Sequence, residues 1–194
     1  MLDYIILFLA WVIFFFIHSL LASRGSKAAF IQAGYLSKQQ YRLIYSLISS
    51  LGLAGVLLLQ LYLSSKTIIE PTPVLQFVGL VFATFGILIL KRSFQHIPVK
   101  GFLGLEEEQT DKLIMEGLHG KVRHPIYLGT ILIILGAICF VPTDLMVVSA
   151  LANFCYIPIG ILMEEDKLVK QYGTDYLTYR KKVPSVFPRR GSFF

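Results

Sequence analysis

The chain has 194 residues, of which 55% are hydrophobic and only 15% are charged, and its mean hydropathy is +0.67. Soluble domains carry about a quarter charged residues and fewer apolar ones. The composition therefore excludes a soluble globular domain and indicates an integral membrane protein. The formal net charge of +6 is explained by membrane topology and by attraction to anionic headgroups, so it implies no nucleic-acid partner.

Five apolar runs predict an all-α fold with about five transmembrane helices, because each run is close to the roughly 17 to 25 residues that cross a bilayer. The fourth run is the shortest, and an arrangement of four spanning helices with this run re-entrant is the alternative. The runs are residues 4–22, 43–63, 74–90, 126–141 and 145–163.

Basic residues predict the orientation, since cytoplasmic connections carry an excess of Lys and Arg. If the first and third connections and the C-terminal tail lie inside, every Lys and Arg except Lys66 is inside. The amino terminus is then outside and the carboxyl terminus is in the cytoplasm. The last two runs are separated only by residues 142–144, so we expect a helical hairpin with both open ends at the cytoplasmic face.

The open ends of this hairpin hold the most distinctive polar residues of the chain. The segment from Arg123 to Gly129 reads RHPIYLG, and Glu164 and Glu165 follow one apolar hairpin later. At about 1.5 Å per residue the two arms are roughly 25 and 28 Å long, so both polar groups return to the same level. Ionisable groups at the edge of a bilayer are costly unless they are used. We therefore expect a functional site here.

The connection before this motif, residues 91–122, is long enough to be functional. Its acidic run at 106–108 is interpreted as a solvated surface, and its apolar, glycine-containing segment at 113–119 as a pocket wall for a flat ligand. We divide the single domain into a membrane scaffold, residues 1–92, and a cofactor-binding and catalytic part, residues 93–194. No G-x-G-x-x-G motif follows a strand pattern, so a Rossmann-type cofactor site is excluded.

An amphipathic pattern beyond Glu165 predicts one further helix outside the membrane, ended by Pro184. Its aromatic stripe has two interpretations that the sequence leaves open: a helix lying on the membrane surface, or a lid over the hairpin mouth. The stripe consists of Leu168, Tyr172, Tyr176, Tyr179 and Val183.

Polar and small residues inside the apolar runs are interpreted structurally. His18 is expected to form a hydrogen bond at the end of the first helix, which we place at His18 and Ser19. Cys139 and Cys155 fall inside apolar helices, which predicts neither a disulfide nor a metal site. Four glycines are expected to allow close helix packing. They are Gly52, Gly55, Gly79 and Gly86.

The C-terminal half resembles the isoprenylcysteine carboxyl methyltransferase family and its prokaryotic relatives. Three motifs carry the resemblance, in the family's order: LIMEGLHGKVRHPIYLG at 113–129, the glutamate pair one hairpin later, and YGTDYLTYRKKVP at 172–184. The resemblance implies that a methyl group is transferred from S-adenosylmethionine to a nucleophile presented from the membrane.

By position, the resemblance also implies which residues bind the cofactor: the H-P-x-Y residues, the wall that begins at Asp111, and the first glutamate. Two positions depart from the eukaryotic members. His119 stands where they have a tyrosine, and Gly160 stands where an arginine that binds the substrate carboxylate is expected. The implied cofactor-binding residues are Leu113, Ile114, Leu118, His119, His124, Pro125, Tyr127 and Glu164.

Arg123 and Glu165 are predicted to be catalytic. Two roles are open for Arg123: pairing with the glutamates to hold the shape of the site, or clamping a substrate carboxylate through its planar fork. Because Gly160 lacks the side chain expected to bind that carboxylate, we predict the substrate-facing role for Arg123.

The methyl acceptor is predicted to be a carboxylate or thiol of a membrane-accessible, prenylcysteine-like substrate. A small thiol, an amine or a phospholipid is the alternative acceptor, and a membrane transporter is the alternative to an enzyme. The expected partners are the lipid bilayer and a small or lipidated substrate, without nucleic acid or metal. The oligomeric state is left open.

Overall fold

The structure is a computed structural model that describes residues 1–95, 97, 99–103, 105–106 and 112–188. Within these ranges the chain forms helices and connections without a strand, which confirms the all-α prediction. The helices are α1 (Leu2–Ala22), α2 (Arg24–Gln32), α3 (Lys38–Tyr62), α4 (Pro73–Ser93), α5 (Val99–Leu103), a 3-10 helix (Gly117–Gly120), α6 (Pro125–Phe140), α7 (Asp144–Tyr172) and α8 (Thr174–Lys182).

Four helices in the described part of the chain, α1, α3, α4 and α7, are long and apolar enough to cross a membrane. The remaining apolar helix, α6, has 16 residues, or about 24 Å, which is less than the roughly 30 Å of a hydrocarbon core. Pro125 occupies its first turn, where a missing N–H costs nothing, and the helix ends before Pro142. The number of full-length spans is therefore four, and α6 is a shorter helix at the predicted place.

Glycines bring α4 and α6 into backbone contact. A Cβ atom added to Gly86 would lie 2.7 Å from the carbonyl oxygen of Gly129, and one added to Gly79 would lie 2.7 Å from that of Gly136. The predicted close packing is confirmed for both α4 glycines. It is also found at Gly52, whose Cβ would lie 3.1 Å from a ring carbon of α1, as expected for small residues between membrane helices.

The amino terminus, the α3–α4 connection and the α6–α7 turn meet at one end of the bundle, which we call the distal face. Asp144 accepts hydrogen bonds from the Tyr4 hydroxyl at 2.7 Å and from the backbone N–H of Lys66 at 2.9 Å. The N–H of Ile68 donates to the Pro142 carbonyl at 2.9 Å. These contacts confirm the hairpin, and they place Lys66 at the end opposite the RHPIYLG motif.

The opposite end, which we call the site face, contains a helix that the sequence did not predict. The first connection folds into α2, which begins after Ser23, whose hydroxyl accepts from the N–H of Ser26. Helix α1 also continues one turn past Ser19, to Ala22. Two hydrogen bonds join the turn between α1 and α2 to α7. Arg24 donates to the Lys167 carbonyl at 2.7 Å, and the Lys167 ammonium donates to the Ala22 carbonyl at 2.9 Å.

The predicted C-terminal helix is two helices. Helix α7 runs without a break through Glu165 to Tyr172 and has 29 residues, or about 43 Å, so its last turns extend beyond a hydrocarbon core of roughly 30 Å. Gly173 then adopts a φ of +56°, and α8 starts in a new direction. This left-handed conformation suits glycine, so Gly173 ends α7 rather than weakening one continuous helix.

Candidate active site

The RHPIYLG motif is fixed at the site face by the C-terminal tail. The backbone N–H groups of Arg123 and His124 donate to the carbonyls of Pro184 and Ser185 at 2.9 and 3.0 Å. Val186, which is buried, packs with Val122 and Leu128. The tail therefore holds the residues that precede α6 in one position.

Arg123 and Glu165 form a buried ion pair. The Nε and Nη2 atoms of Arg123 donate to the same carboxylate oxygen of Glu165, at 3.0 and 2.5 Å, and both side chains are about one-tenth exposed. The remaining Nη1 donates to the carbonyls of Val183 and Arg180. All three nitrogens of the guanidinium donate to groups of the protein, which is the geometry expected of the pairing role.

His124 lies between the two glutamates. Its Nε2 is 3.1 Å from Glu165 Oε1 and its Nδ1 is 3.6 Å from Glu164 Oε2, while the ring itself is buried. Burial lowers the pKa of His124, but hydrogen bonds and charges of Glu164 and Glu165 outweigh this and raise the pKa above its ordinary value. Protonation of this ring is therefore favoured, and the added charge offsets part of the charge of the carboxylate pair.

Glu164 faces a cavity of about 180 Å³ on the site face, and its side chain is 46% exposed. The cavity lies beside the α7–α8 corner and the segment before the 3-10 helix. Its walls are mostly apolar and aromatic, with charged groups at intervals. The lining residues are Arg42, Ile97, Gly101, Lys112, Leu113, Ile114, His119, Arg123, Glu164, Leu168, Tyr172, Tyr176 and Tyr179.

Tyrosines of α8 form one wall of this cavity. The Tyr179 hydroxyl donates to the His119 carbonyl at 2.5 Å. Tyr176 is fully buried, and burial is the main cause that raises its pKa to about 12. The Tyr176 hydroxyl lies beside Arg123 and Glu165, close enough for weak hydrogen bonding, but neither contact has the geometry of a full hydrogen bond. All residues of the aromatic stripe except Val183 thus line the cavity, which is the arrangement expected of the lid interpretation.

Half of the residues implied for the cofactor line the cavity, and half lie behind it. Leu113, Ile114, His119 and Glu164 line it, together with Arg123. The other four implied residues do not line it. Asp111 lies outside the described residues. Those behind the cavity are Leu118, His124, Pro125 and Tyr127.

Each of these four residues is kept out of the cavity lining by its own contacts. The Leu118 carbonyl accepts the N–H groups that close the 3-10 turn. Pro125 is fully buried at the start of α6, and His124 is held by the glutamates. The Tyr127 hydroxyl points at α7, where a Cβ on Gly160 would lie only 2.8 Å away. Gly160 therefore leaves room for this phenol.

Arg42 of α3 also lines the cavity. In the sequence it stands among aromatic residues at the start of an apolar run, a pattern typical of a residue that anchors a helix at the membrane interface. Its place in the cavity is visible only in the structure, because no pattern in the sequence shows that α3 lies beside α7 and α8. Glu165, by contrast, was placed in the site by sequence and lies just outside the cavity lining.

The chain is similar to known membrane methyltransferases. The family model of the phospholipid methyltransferases matches residues 74–175. The protein-S-isoprenylcysteine O-methyltransferase of Xenopus laevis is 29% identical over 122 residues, 59% of this chain and 41% of that protein. The methanethiol S-methyltransferase of Crocosphaera subtropica is 30% identical over 120 residues, 56% of this chain and 45% of that protein.

A second methanethiol S-methyltransferase, from Bradyrhizobium diazoefficiens, is 36% identical over 72 residues, which are 37% of this chain and 27% of that protein. The chain thus spans less than half the length of each of these relatives. No solved structure matches the chain significantly. The family match covers more than half of the chain and contains the RHPIYLG motif, the glutamate pair and the start of α8. The chain therefore belongs to the phospholipid methyltransferase family, and its resemblance to the isoprenylcysteine methyltransferases is confirmed.

Proposed function

We propose that this membrane protein transfers a methyl group from S-adenosylmethionine to a carboxylate or thiol of a membrane-accessible acceptor. The observation that supports this most directly is the cavity at the site face. It combines an aromatic wall, an apolar wall and a half-exposed carboxylate next to the bilayer. These features match the parts of a cofactor that has a purine, a cationic sulfonium and an ammonium group.

The weakly bonded hydroxyl of Tyr176 bears on whether this cofactor fits the cavity. A buried polar group whose hydrogen bonds are incomplete costs free energy, and a ligand that accepts a hydrogen bond from Tyr176 would reduce that cost. Glu164 can hold the ammonium or the ribose hydroxyls, and Lys112 can approach the carboxylate. Leu113 and Ile114 can cover the purine. The residues present therefore suit S-adenosylmethionine, which supplies the activated methyl group when bound.

Transfer forms a bond from the acceptor to the methyl carbon and breaks the carbon–sulfur bond, whose electron pair stays on sulfur. Charge is neutralised in this step, so alignment and exclusion of water matter more than a strong acid or base. A carboxylate acceptor has no proton to lose. A thiol must lose one, and the cavity-facing carboxylate of Glu164 can accept it.

We assign Arg123 and Glu165 to positioning rather than to contact with the substrate. Their buried pair, with His124 against both glutamates, fixes Glu164 toward the cavity. We also keep residues 1–92 as a scaffold and 93–194 as the cofactor-binding part, with Arg42 as the scaffold's contribution to the cavity. The placement of the basic residues supports a cytoplasmic site face.

The acceptor has two candidates among the activities of the matched relatives, a prenylated cysteine and a small thiol. The experiment is transfer of labelled methyl from S-adenosylmethionine, in proteoliposomes, to a panel of prenylcysteine analogues, small thiols, amines and phospholipids. Transfer to one class supports the proposal and names the acceptor. Absence of transfer to every class, by protein that remains folded, would overturn it.

A further inference from the structure

A polar cluster lies inside the bundle, where α1, α3 and α7 meet. The Nδ1 atom of His18 is 3.1 Å from the Ser49 hydroxyl, and its Nε2 atom is 3.2 Å from the Tyr45 hydroxyl. The neighbouring Ser19 hydroxyl is 2.8 Å from that of Tyr156 on α7. The hydrogen bond predicted for His18 is therefore found, and it joins α1 to α3 rather than closing a helix end.

Beyond this cluster the surroundings of His18 are apolar. The ring lines a groove of about 340 Å³ between α1 and α3, in which Ser49 is the only other polar side chain among the described lining residues. A Cβ added to Gly55 would find no atom within 4 Å, so the predicted close packing is wrong at Gly55, which leaves this groove open. An ionisable group is costly beside lipid and is more often functional there than elsewhere. Alignment of the cofactor and the acceptor makes no use of His18, so its position calls for another role.

Tyrosines connect the cluster to the cavity that we assign to the cofactor. The Tyr127 hydroxyl lies close enough to Glu164 for weak hydrogen bonding, and Tyr45 and Tyr156 both lie within electrostatic reach of Tyr127. Glu164 also acts electrostatically on Tyr45, and it lines the cavity. A set of polar side chains therefore runs from the cavity through two phenols to His18.

Each member of this set can pass on a proton. A phenol hydroxyl donates one hydrogen bond and accepts others, and a neutral imidazole carries one donor and one acceptor nitrogen. A protonated imidazole donates from both nitrogens, and the oxygens of Ser49 and Tyr45 lie where they can accept from both. The geometry at His18 therefore satisfies the ring before and after it takes up a proton.

We propose that His18 is the final acceptor of the proton that a thiol or amine loses when it is methylated, with Glu164, Tyr127 and Tyr45 as the path. This inference rests on the proposed function and applies to acceptors that carry a proton. For a thiol, the S–H bond breaks, its electron pair stays on sulfur, and this sulfur bonds to the methyl carbon. The electron pair of the broken carbon–sulfur bond stays on the cofactor. The proton ends on His18, so the positive charge lost at the sulfonium reappears on the imidazole.

A bound cofactor is the reason for an internal path. Glu164 is half-exposed toward a cavity of about 180 Å³, and a ligand that fills this cavity excludes the water that would otherwise take the proton from the carboxylate. Imidazoles hold a proton better than carboxylates do, with ordinary pKa values of about 6.5 and about 4.3. The proton therefore moves toward the imidazole.

A cation lies near the end of this path. Lys167 of α7 acts on the His18 ring electrostatically, and its ammonium donates to the Ala22 carbonyl at 2.9 Å. A cation near an imidazole favours the neutral form of the ring, which is the form that accepts a proton. The other titratable groups around the path are the carboxylate of Glu164 and the phenols of Tyr41 and Tyr156.

Two thiols that differ in ionisation test the path. The thiol para-nitrobenzyl thiol keeps its proton near neutral pH, whereas para-nitrobenzenethiol is ionised and has no proton to lose. His18→Gln retains hydrogen bonding to Ser49 and Tyr45 but cannot take up a proton, and Tyr45→Phe interrupts the path. Phe16→Leu is the control on α1, because Phe16 is exposed and lies outside the groove lining. Labelled methyl transfer to both thiols is measured in proteoliposomes.

We expect His18→Gln and Tyr45→Phe to lower kcat/KM for the benzyl thiol about a hundredfold, the lower end of the contribution of proton transfer, and to leave that for the ionised thiol unchanged. Phe16→Leu should match wild type with both thiols. Equal losses with the two thiols would show a structural role only and overturn the inference, and so would the absence of a loss with either. Wild type that methylates carboxylates but neither thiol would also overturn it, with the proposed function intact.

A second measurement does not depend on turnover. The protein binds para-nitrobenzenethiol together with S-adenosylhomocysteine, and the visible absorption of the thiolate is followed as pH is lowered. An imidazolium nearby stabilises the thiolate, so the midpoint should lie about one pH unit lower in wild type and Phe16→Leu than in His18→Gln. Equal midpoints would overturn the inference. The expected shift in a protein that transfers no methyl group to any acceptor would reject the proposed function alone.

Discussion

The Nε and Nη2 atoms of Arg123 converge on one oxygen of Glu165, at 3.0 and 2.5 Å, inside the protein. This relationship changes the role predicted for Arg123 from the sequence. Because all three guanidinium nitrogens already donate to groups of the protein, we propose a positioning role for Arg123 in place of the predicted substrate clamp. Its contribution is to fix Glu165 and, through His124, the neighbouring Glu164.

Arg123→Lys should therefore lower stability and cofactor affinity in step with activity. Lysine keeps the charge but cannot reach Glu165 and the Val183 and Arg180 carbonyls together. Unmade buried hydrogen bonds cost about 1–3 kcal/mol, so we expect affinity to fall roughly tenfold. Thermal unfolding, calorimetry and turnover measure the three effects.

Arg180→Lys is the control for this substitution, because Arg180 is half-exposed and contacts Glu165 through a single nitrogen, at 3.4 Å. The Arg180→Lys variant should differ little from wild type in stability, cofactor affinity and turnover. If Arg123→Lys kept full cofactor affinity and lost turnover alone, the substrate-clamp role would be correct and the pairing role wrong.

His124 should make stability depend on pH. Its pKa is raised in the folded protein, so the protonated ring stabilises the fold fully below its ordinary value of about 6.5, and this contribution is lost as pH rises through the raised value. Thermal unfolding of wild type and His124→Gln should therefore differ by a constant amount below about pH 6.5, and the difference should shrink at higher pH. A constant difference at all pH values would contradict this, because it would mean that folding does not shift the pKa of His124.

Side chains added at the glycine contacts between α4 and α6 should lower the stability of the protein. Gly86→Ala puts a Cβ 2.7 Å from the Gly129 carbonyl, and overpacking of this kind costs about 1–3 kcal/mol. Gly55→Ala, which meets open space, should cost much less. Unfolding of the two variants in detergent gives the comparison. Equal stability of both would mean that the helix pair can separate without cost.

Gly160 should act through Tyr127. The Cβ of Gly160→Ala would lie 2.8 Å from the Tyr127 hydroxyl and displace it, so turnover should fall, by up to about a hundredfold if the displacement reaches about 1 Å. Removing the hydroxyl removes the clash. The double variant Gly160→Ala with Tyr127→Phe should then be no slower than Tyr127→Phe alone, a non-additive result typical of residues in contact. Additive losses would show that the two positions act independently.

The hairpin, its polar ends and the aromatic stripe could be predicted because each follows from a local sequence pattern. Apolar runs bounded by proline and charged residues indicate the hairpin, and the spacing of the aromatic residues indicates the stripe. Which glutamate faces the cavity could not. Adjacent residues on a helix point about 100° apart, so Glu164 and Glu165 face different surroundings, and packing against Arg123 decides which one is buried.

Breaks in helices were also hard to predict. Gly173 is compatible with a continuous helix at a cost of about 1 kcal/mol, so the sequence alone does not show that α7 ends there and that Tyr176 and Tyr179 of α8 are buried. The connection after Ser23 is polar, so its short helix has no strong apolar period. The opening at Gly55 depends on how α1 and α3 diverge, which no local pattern records.

The most direct test of the central claim is calorimetric titration of the purified protein with S-adenosylhomocysteine. We predict binding to wild type, a loss of about ten- to a hundredfold in affinity in Glu164→Ala through one charge-assisted hydrogen bond, and a smaller loss in Tyr176→Phe. Glu70→Ala, an exposed residue near the distal face, should bind as wild type does. If Glu164→Ala and Tyr176→Phe are folded and bind with unchanged affinity, or if wild type does not bind, the cavity beside α7 and α8 is not a cofactor site.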